Sequence, residues 1–371
     1  MTVIVHVVDP AATEADLSAL HTLLDRLPGE SHRQIVVAAA SRAAARLAER
    51  LGRPVLRTDG RFGPLLPGSL SLRHFVRAHD AHIMHAWGLG AAAAAASAAA
   101  GRPMVVCGIQ PHETLRAARR LRPLSSPPAV VTSSHTVRSR LAASGVSGEH
   151  SVVIRPPVDF AALNRARREV LRRRLLGDAR PVLLTPGPAR RGDGQFQAVW
   201  AAGVLQRIHP DLRIVVPFES AETARLRRFA ASFRRPEMLF CPGDSLRWPE
   251  LVTLADVLVI APDAEIACEP IAWAMAAGVP VAGAARRSVA EFIADRQNGL
   301  LCRENAPRLL AAAVLRLLED EPLRRRLVET ARGQAFEVFG ARAFVDNYAA
   351  LYENLRAGRK PAHGVRDTAA A

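Results

Sequence analysis

The stretch EIACEPIAWAMAAGVPV, residues 265–281, decides how the rest of the chain is read. It opens on Glu265, places Pro270 where a helix tolerates proline in its first turn, and stops at Gly278 before a Val-Pro-Val exit. The preceding run, DVLVIAP, is short, apolar and β-branched, so the order is strand, loop, helix, strand. In open parallel sheets, ligands gather where such loops leave the carboxyl ends of strands, and helix N-termini there present N–H groups to anions. A carboxylate at Glu265 suits hydroxyl groups lying beside such an anion. The plainer reading is that Glu265 and Glu269 only complement the helix dipole, worth about 0.3–1 kcal/mol.

The same rhythm runs through the chain. VIVHVV, QIVVAA, AHIMHAW, PMVVCGI and PAVVTSS alternate with amphipathic stretches in the first half, and PVLLTPG, LRIVVPF, EMLFCPG, DVLVIAP and VPVAGA do so in the second. Runs that are almost wholly apolar are those of parallel strands covered on both faces. The 371 residues suit two domains of roughly 150–200 residues each. Pro156, Pro157 and an arginine-rich helical stretch before Pro181 set the expected boundary near residue 170.

Composition narrows the function. Hydrophobic residues make up 49% and charged residues 23%, the balance of a folded globular chain. The net charge of +15 is carried almost wholly by arginine, Lys360 being the only lysine, and it is spread along the chain. With aromatics at 5% there is no basic stripe interleaved with rings, which argues against nucleic acid as the main partner. Cys107, Cys241, Cys268 and Cys302 form no C-x-x-C pair, so neither a zinc site nor a disulfide framework is expected. MTVIVHVVDP lacks the basic start of a secretion signal and reads as a buried first strand, consistent with a cytoplasmic protein. The alanine run between His85 and Arg102 is too short to span a bilayer and reads as a tightly packed helix.

A second loop joins the first. After PVLLTPG, the segment PARRGDGQFQ sets Gly187, Gly192 and Gly194 around Arg190 and Arg191 before a helix. Two guanidiniums on a loop at a strand's end suit a diphosphate, which arginine binds bidentately. The segment matches no standard phosphate-loop motif, and a solvated turn is the alternative.

The chain resembles the family 4, group 1 glycosyltransferases of the GT-B fold. AHIMHAWG, VVTSSHTVRSRLAASGV, SVVIRPPVDFAAL, PGPARRGDGQFQAVWAAGVLQRIHPDLRIVV, AMAAGVPVAG and SVAEFIADRQNGLLC follow family segments in order, from about residue 80 to about residue 352. The resemblance implies an α/β protein of two Rossmann-like doubly wound parallel-sheet domains facing across a cleft. Residues 1–170 would be the acceptor side, 171–335 the nucleotide-sugar side, 336–358 a helix returning to the first domain, and 359–371 a disordered tail. It implies a retaining, metal-independent hexosyl transfer from a nucleoside-diphosphate-sugar to a glycan, lipid-linked or small-molecule acceptor, with no further cofactor.

By the same resemblance Glu265, which contacts the donor sugar, and His112, the acceptor-side histidine, are the expected catalytic residues, and Arg190, Arg191, Gly187, Glu269, Pro270 and Trp273 are the expected donor-binding residues. The family's second glutamate falls on Trp273, which cannot accept hydrogen bonds from a ribose, and its first loop arginine falls on Pro188. A sugar-nucleotide-binding protein that no longer transfers, or an epimerase-like enzyme, is therefore the alternative. HETLRAARRLRPLSSPP, with Arg116, Arg119, Arg120 and Arg122, is expected either to touch an anionic membrane's inner face or to be a solvated helix face.

Overall fold

In the computed structural model the described residues are 1–9, 12–39, 48, 49, 51, 52, 55–58, 67–122, 124, 126–165, 168–187, 192–267, 269–303 and 306–361. The chain divides into two units, Met1–Pro157 with Ala341–Ala371, and Val158–Gly340.

The first unit is built from β1 (Thr2–Val8), α1 (Glu14–Arg26), β2 (His32–Ala39), β3 (Leu56–Thr58), α2 (Pro67–Ala78), β4 (Ile83–Trp87), α3 (Leu89–Ala99), β5 (Met104–Cys107), α4 (Thr114–Leu121), β6 (Ala129–Thr132), α5 (His135–Ala143) and β7 (Ser151–Val153). Its seven strands pair in parallel in the order β3-β2-β1-β4-β5-β6-β7. Alternate residues of each strand serve opposite cores. Val3, Val5 and Val7 join the alanines of α3 on one face, whereas Ile4 and Val8 join Leu17, Leu20 and Leu24 of α1 on the other. The alanine run is the helix α3, whose small side chains let it lie close against the sheet.

The second unit begins with α6 (Phe160–Arg165), α7 (Arg168–Leu176), β8 (Val182–Leu184), α8 (Gln195–Leu205) and β9 (Arg213–Val215). It continues through α9 (Thr223–Ala231), β10 (Leu239–Phe240), α10 (Trp248–Leu254), β11 (Val257–Ile260), α11 (Glu269–Ala277), β12 (Val281–Ala284), α12 (Arg287–Ala290), β13 (Leu300–Cys302), α13 (Pro307–Glu319) and α14 (Glu321–Val338). The strand order is β10-β9-β8-β11-β12-β13, all parallel. The expected boundary near residue 170 lies inside α7, and α7 belongs to this unit for an identifiable reason. Arg172, 1% exposed, forks onto Asp256 at 2.9 and 2.6 Å, and the same carboxylate accepts the Val182 N–H at 2.8 Å. That bidentate pair fixes α7 to the amino ends of β8 and β11.

The last helix, α15 (Ala341–Arg356), returns to the first unit. Phe344, Val345, Tyr348, Leu351 and Tyr352 complete the core that α1 shares with the sheet. Beneath them runs a buried polar chain. The Tyr352 hydroxyl lies 2.7 Å from His85 Nδ1, His85 Nε2 lies 3.2 Å from Cys107 Sγ, and the Cys107 thiol donates to the Ala86 carbonyl. For a neutral imidazole one assignment satisfies all three: Tyr352 donates to Nδ1, and Nε2–H donates to sulfur. Trp87 Nε1 donates to His6 Nδ1 at 3.0 Å, leaving His6 Nε2–H to donate to Gln34 Oε1 at 3.2 Å. The Trp87 bond makes His6 neutral, and burial favours the neutral form of both imidazoles: it lowers the His6 pKa to about 4 and carries His85 well below the ordinary histidine range.

Below pH 6.5 the unfolded chain takes up a proton at residue 6 that the folded chain refuses until about pH 4. Stability is thus present above pH 6.5 and is lost as pH falls through that window, by about 3 kcal/mol for His6, with His85 acting in the same direction. Urea unfolding at pH 7, 6, 5 and 4 should show this fall, and His6→Gln should make it shallower by the His6 share while that of His85 remains. A wild-type fall no steeper than the variant's would contradict the assignment.

Candidate functional site

The sheet of the second unit reverses its winding between β8 and β11, the place where open α/β sheets bind ligands. Two loops leave these strands side by side. Gly192 has φ +92°, and its carbonyl accepts the N–H groups of Asp263 and Ala264 at 2.8 and 3.3 Å. Gly194, φ +95°, abuts the Ala261 carbonyl so closely that any Cβ would strike it, and Gly187 stands in the same relation to the Pro217 carbonyl. The structure thus joins the sequence-predicted glycine loop to the loop that carries Glu265.

Gly194 also caps α8 and offers no side chain to its first turn. The opening N–H groups of a helix have no acceptor within it, so α8 presents an electropositive end at this crossing. The first unit has the same layout with a different filling. At its switch point between β1 and β4, the Asp9 carboxylate accepts the Gly90 N–H in the first turn of α3 at 2.6 Å. A negative charge already sits on that helix end, whereas α8 carries none of its own from its cap.

Glu265 is half-buried and held in place. Its Oε2 accepts the Ser288 N–H at 2.8 Å, and Ser288 Oγ accepts the Ile266 N–H at 3.2 Å. This reciprocal clamp engages Oε2 and leaves Oε1 without a hydrogen bond among the described residues. Asp263 accepts from Gln197 Nε2 at 2.9 Å, tying α8 to the same loop, and Arg286 Nε donates to the Pro262 carbonyl at 3.2 Å.

The other predicted residues are distributed as follows. Glu269 and Pro270 are half-buried at the start of α11. Trp273, 7% exposed, belongs to the apolar cluster that includes Ile271, Met275, Leu251 and Ala331. Its indole fills core space. His112 is exposed on a 3-10 turn, Pro111–Glu113, which follows β5 in the first unit. Arg190, Arg191, Pro188 and Cys268 lie outside the described residues.

Sequence reasoning missed Asp263, Gln197, Ser288 and Arg286, because only the fold brings them to the loop. It also missed Phe218 and Trp248, whose rings pack edge to face with centroids 6.4 Å apart beyond the ends of β9 and β10. Phe218 adopts φ +61°, a strained conformation for an aromatic residue that nothing in the sequence announces.

Solved structures share this fold. HepE of Anabaena, crystallised with UDP-glucose, superposes with a TM-score of 0.81 at 18% identity over 95% of this chain and 99% of that one. A glycosyltransferase from Rickettsia africae gives 0.77 at 15% identity, covering 95% and 98% of the two chains. Sucrose-phosphate synthase of Thermosynechococcus elongatus gives 0.72 at 16%, covering 96% and 100%. The fold is GT-B. Residues 166–334 match the family model of group 1 glycosyl transferases, and residues 18–162 that of glycosyltransferase family 4. The chain belongs to the family 4, group 1 glycosyltransferases. It is also 30% identical over 145 residues to N-acetyl-alpha-D-glucosaminyl L-malate synthase of Bacillus anthracis, a match spanning 39% of this chain and 38% of that protein.

Two substitutions test the geometry. Gly194→Ala should cost about 1–3 kcal/mol in urea unfolding through backbone strain, whereas Gly333→Ala, in open space on α14, should be neutral or stabilising. Trp273→Glu, which puts a carboxylate where the indole fills the core, should lower stability by at least about 3 kcal/mol. Unaltered unfolding in that variant would show that position 273 faces the pocket instead.

Proposed function

We propose that the chain is a retaining glycosyltransferase that moves a hexosyl group from a nucleoside-diphosphate-sugar to a hydroxyl-bearing acceptor. The observation that carries this is the junction of the Gly192–Gly194 loop with the Asp263–Glu265 loop at the switch point of the second sheet. As the bond from the sugar's C1 to the diphosphate oxygen breaks, negative charge grows on the leaving group. The uncapped start of α8 and the guanidiniums of Arg190 and Arg191 take up that charge, without recourse to a bound metal. Glu265, fixed through Oε2, presents Oε1 to the hydroxyls of the sugar, and Glu269 and Pro270 open the neighbouring helix beside it. Phe218 and Trp248 provide flat apolar surface for the nucleobase. Uridine is the base to test first, since HepE and the pneumococcal O-GlcNAc transferase GtfA were crystallised with UDP or a UDP-sugar.

The first unit would supply the acceptor surface, with His112 exposed beyond β5. Helix α4 buries Thr114, Ala117, Ala118 and Leu121 and exposes Leu115 with Arg116, Arg119 and Arg120. That face suits a lipid-linked acceptor at the cytoplasmic surface of an anionic membrane. Among the described residues no helix is long and apolar enough to cross a membrane.

A second reading, binding without transfer, is favoured by one feature: position 273 carries a buried indole where the resemblance calls for a ribose-binding carboxylate. Thermal-shift titration with uridine-, guanosine- and adenosine-diphosphate sugars, followed by assay of nucleotide release with and without acceptor, separates the two. Under the transfer reading one donor stabilises the protein, and Glu265→Gln lowers kcat about 100- to 1,000-fold while unfolding is unchanged. Binding with no release from the wild type would support the second reading, and wild-type turnover in Glu265→Gln would remove Glu265 from the site.

A further inference from the structure

We infer that Arg286 is a further anion-binding residue of this site, one that takes an oxyanion of the bound nucleotide sugar through its guanidinium fork. The inference rests on the donor-site reading above and adds to it a residue from a third loop, the one that follows β12.

Arg286 lies immediately past the carboxyl end of β12, which pairs directly with β11. Its backbone is the N-cap of the short helix α12, and its side chain reaches across to the β11 loop, where Nε donates to the Pro262 carbonyl at 3.2 Å. The contact aims the guanidinium at a loop with two other anchors. One residue further along, Asp263 is bound to Gly192; three residues further, Glu265 is bound to Ser288. The guanidinium is therefore anchored to the loop that joins the glycine segment at Asp263 and carries the fixed carboxylate at Glu265.

Its remaining donors are uncommitted. Among the described residues no carboxylate pairs with Arg286, and Nη1 and Nη2 make no hydrogen bond. The two nearby acids are engaged elsewhere, Asp263 with Gln197 and Glu265 with Ser288. The residue is exposed, so its charge faces solvent at the carboxyl end of the sheet. An arginine pinned by Nε offers its two Nη groups as a planar fork, the geometry that binds phosphate or carboxylate through two parallel hydrogen bonds. A lysine there could supply charge but not the fork.

Two parts of a nucleotide sugar could provide the oxyanion, the diphosphate or a carboxylate on the sugar itself. Calorimetric titration of the full-length wild type, Arg286→Gln and Arg286→Lys with UDP, UDP-glucose and UDP-glucuronate distinguishes them. If the diphosphate is the partner, Arg286→Gln weakens all three ligands about tenfold or more, and Arg286→Lys recovers part of the loss. If a sugar carboxylate is the partner, the wild type prefers UDP-glucuronate to UDP-glucose, and Arg286→Gln removes that preference while UDP binds as before. Wild-type affinity of Arg286→Gln for every ligand, with no preference to lose, overturns the inference and leaves the donor-site reading standing. Failure of the wild type to bind any of them, or the corresponding guanosine- and adenosine-diphosphate sugars, overturns both. Circular dichroism and the unfolding temperature of each variant establish that it is folded, so that weakened binding cannot be charged to misfolding.

Discussion

Everything at the switch point of the second sheet depends on main chain meeting main chain. Gly194 lies against the Ala261 carbonyl and Gly187 against that of Pro217, at separations no Cβ would allow. Because Gly194 lacks a side chain, the segment Gly192–Gly194 lies close against the loop after β11, and the Gly192 carbonyl can accept two N–H groups from it. Helix α8 then starts from a glycine instead of from a capping side chain, which leaves its electropositive end to a ligand. The first unit shows the other solution to the same topology, with Asp9 standing at the corresponding helix end. Two sheets wound alike thus differ at their switch points: a carboxylate accepts an N–H of the first turn of α3, whereas the cap residue of α8 brings no side chain.

The strands at the centres of both sheets were legible because burial on two faces demands unbroken apolar runs. All ten runs picked out in the sequence fall on strands of the structure. The three strands not picked out, β3, β7 and β13, are each at a sheet edge. Each of these has one hydrogen-bonded neighbour and is not bound to carry a run that is apolar on both faces, although β10, also at an edge, was picked out. The change of unit at Pro157 was obscured for a different reason. Arg172 looks like a surface cation in an arginine-rich helix, and only the fold reveals that Asp256, 84 positions away, receives it.

At the site, local sequence identified what local chemistry determines: glycines before a helix, a glutamate on a loop, a proline in the first turn. It could not identify Ser288, Arg286 or Gln197, whose partners belong to other loops. Trp273 is instructive because helical position and side-chain direction separate. By spacing it stands where an acid would face a ligand, yet its indole is packed among the apolar residues of α10, α11 and α14. Residue type decides where a rotamer points, since a large ring gains more from the core than from water.

The buried bond between His85 and Tyr352 joins residues 267 positions apart. During synthesis on a ribosome, the seven strands of the first sheet emerge long before α15 does, and the whole of the second unit is made in between. Until the last helix arrives, the face that receives Tyr348 and Tyr352 has no cover, and the neutral imidazole of His85 lacks its hydroxyl donor. The first unit to be translated is therefore the last to be completed, and the interval between is when a nascent chain exposes the most apolar surface to chaperones or to its neighbours.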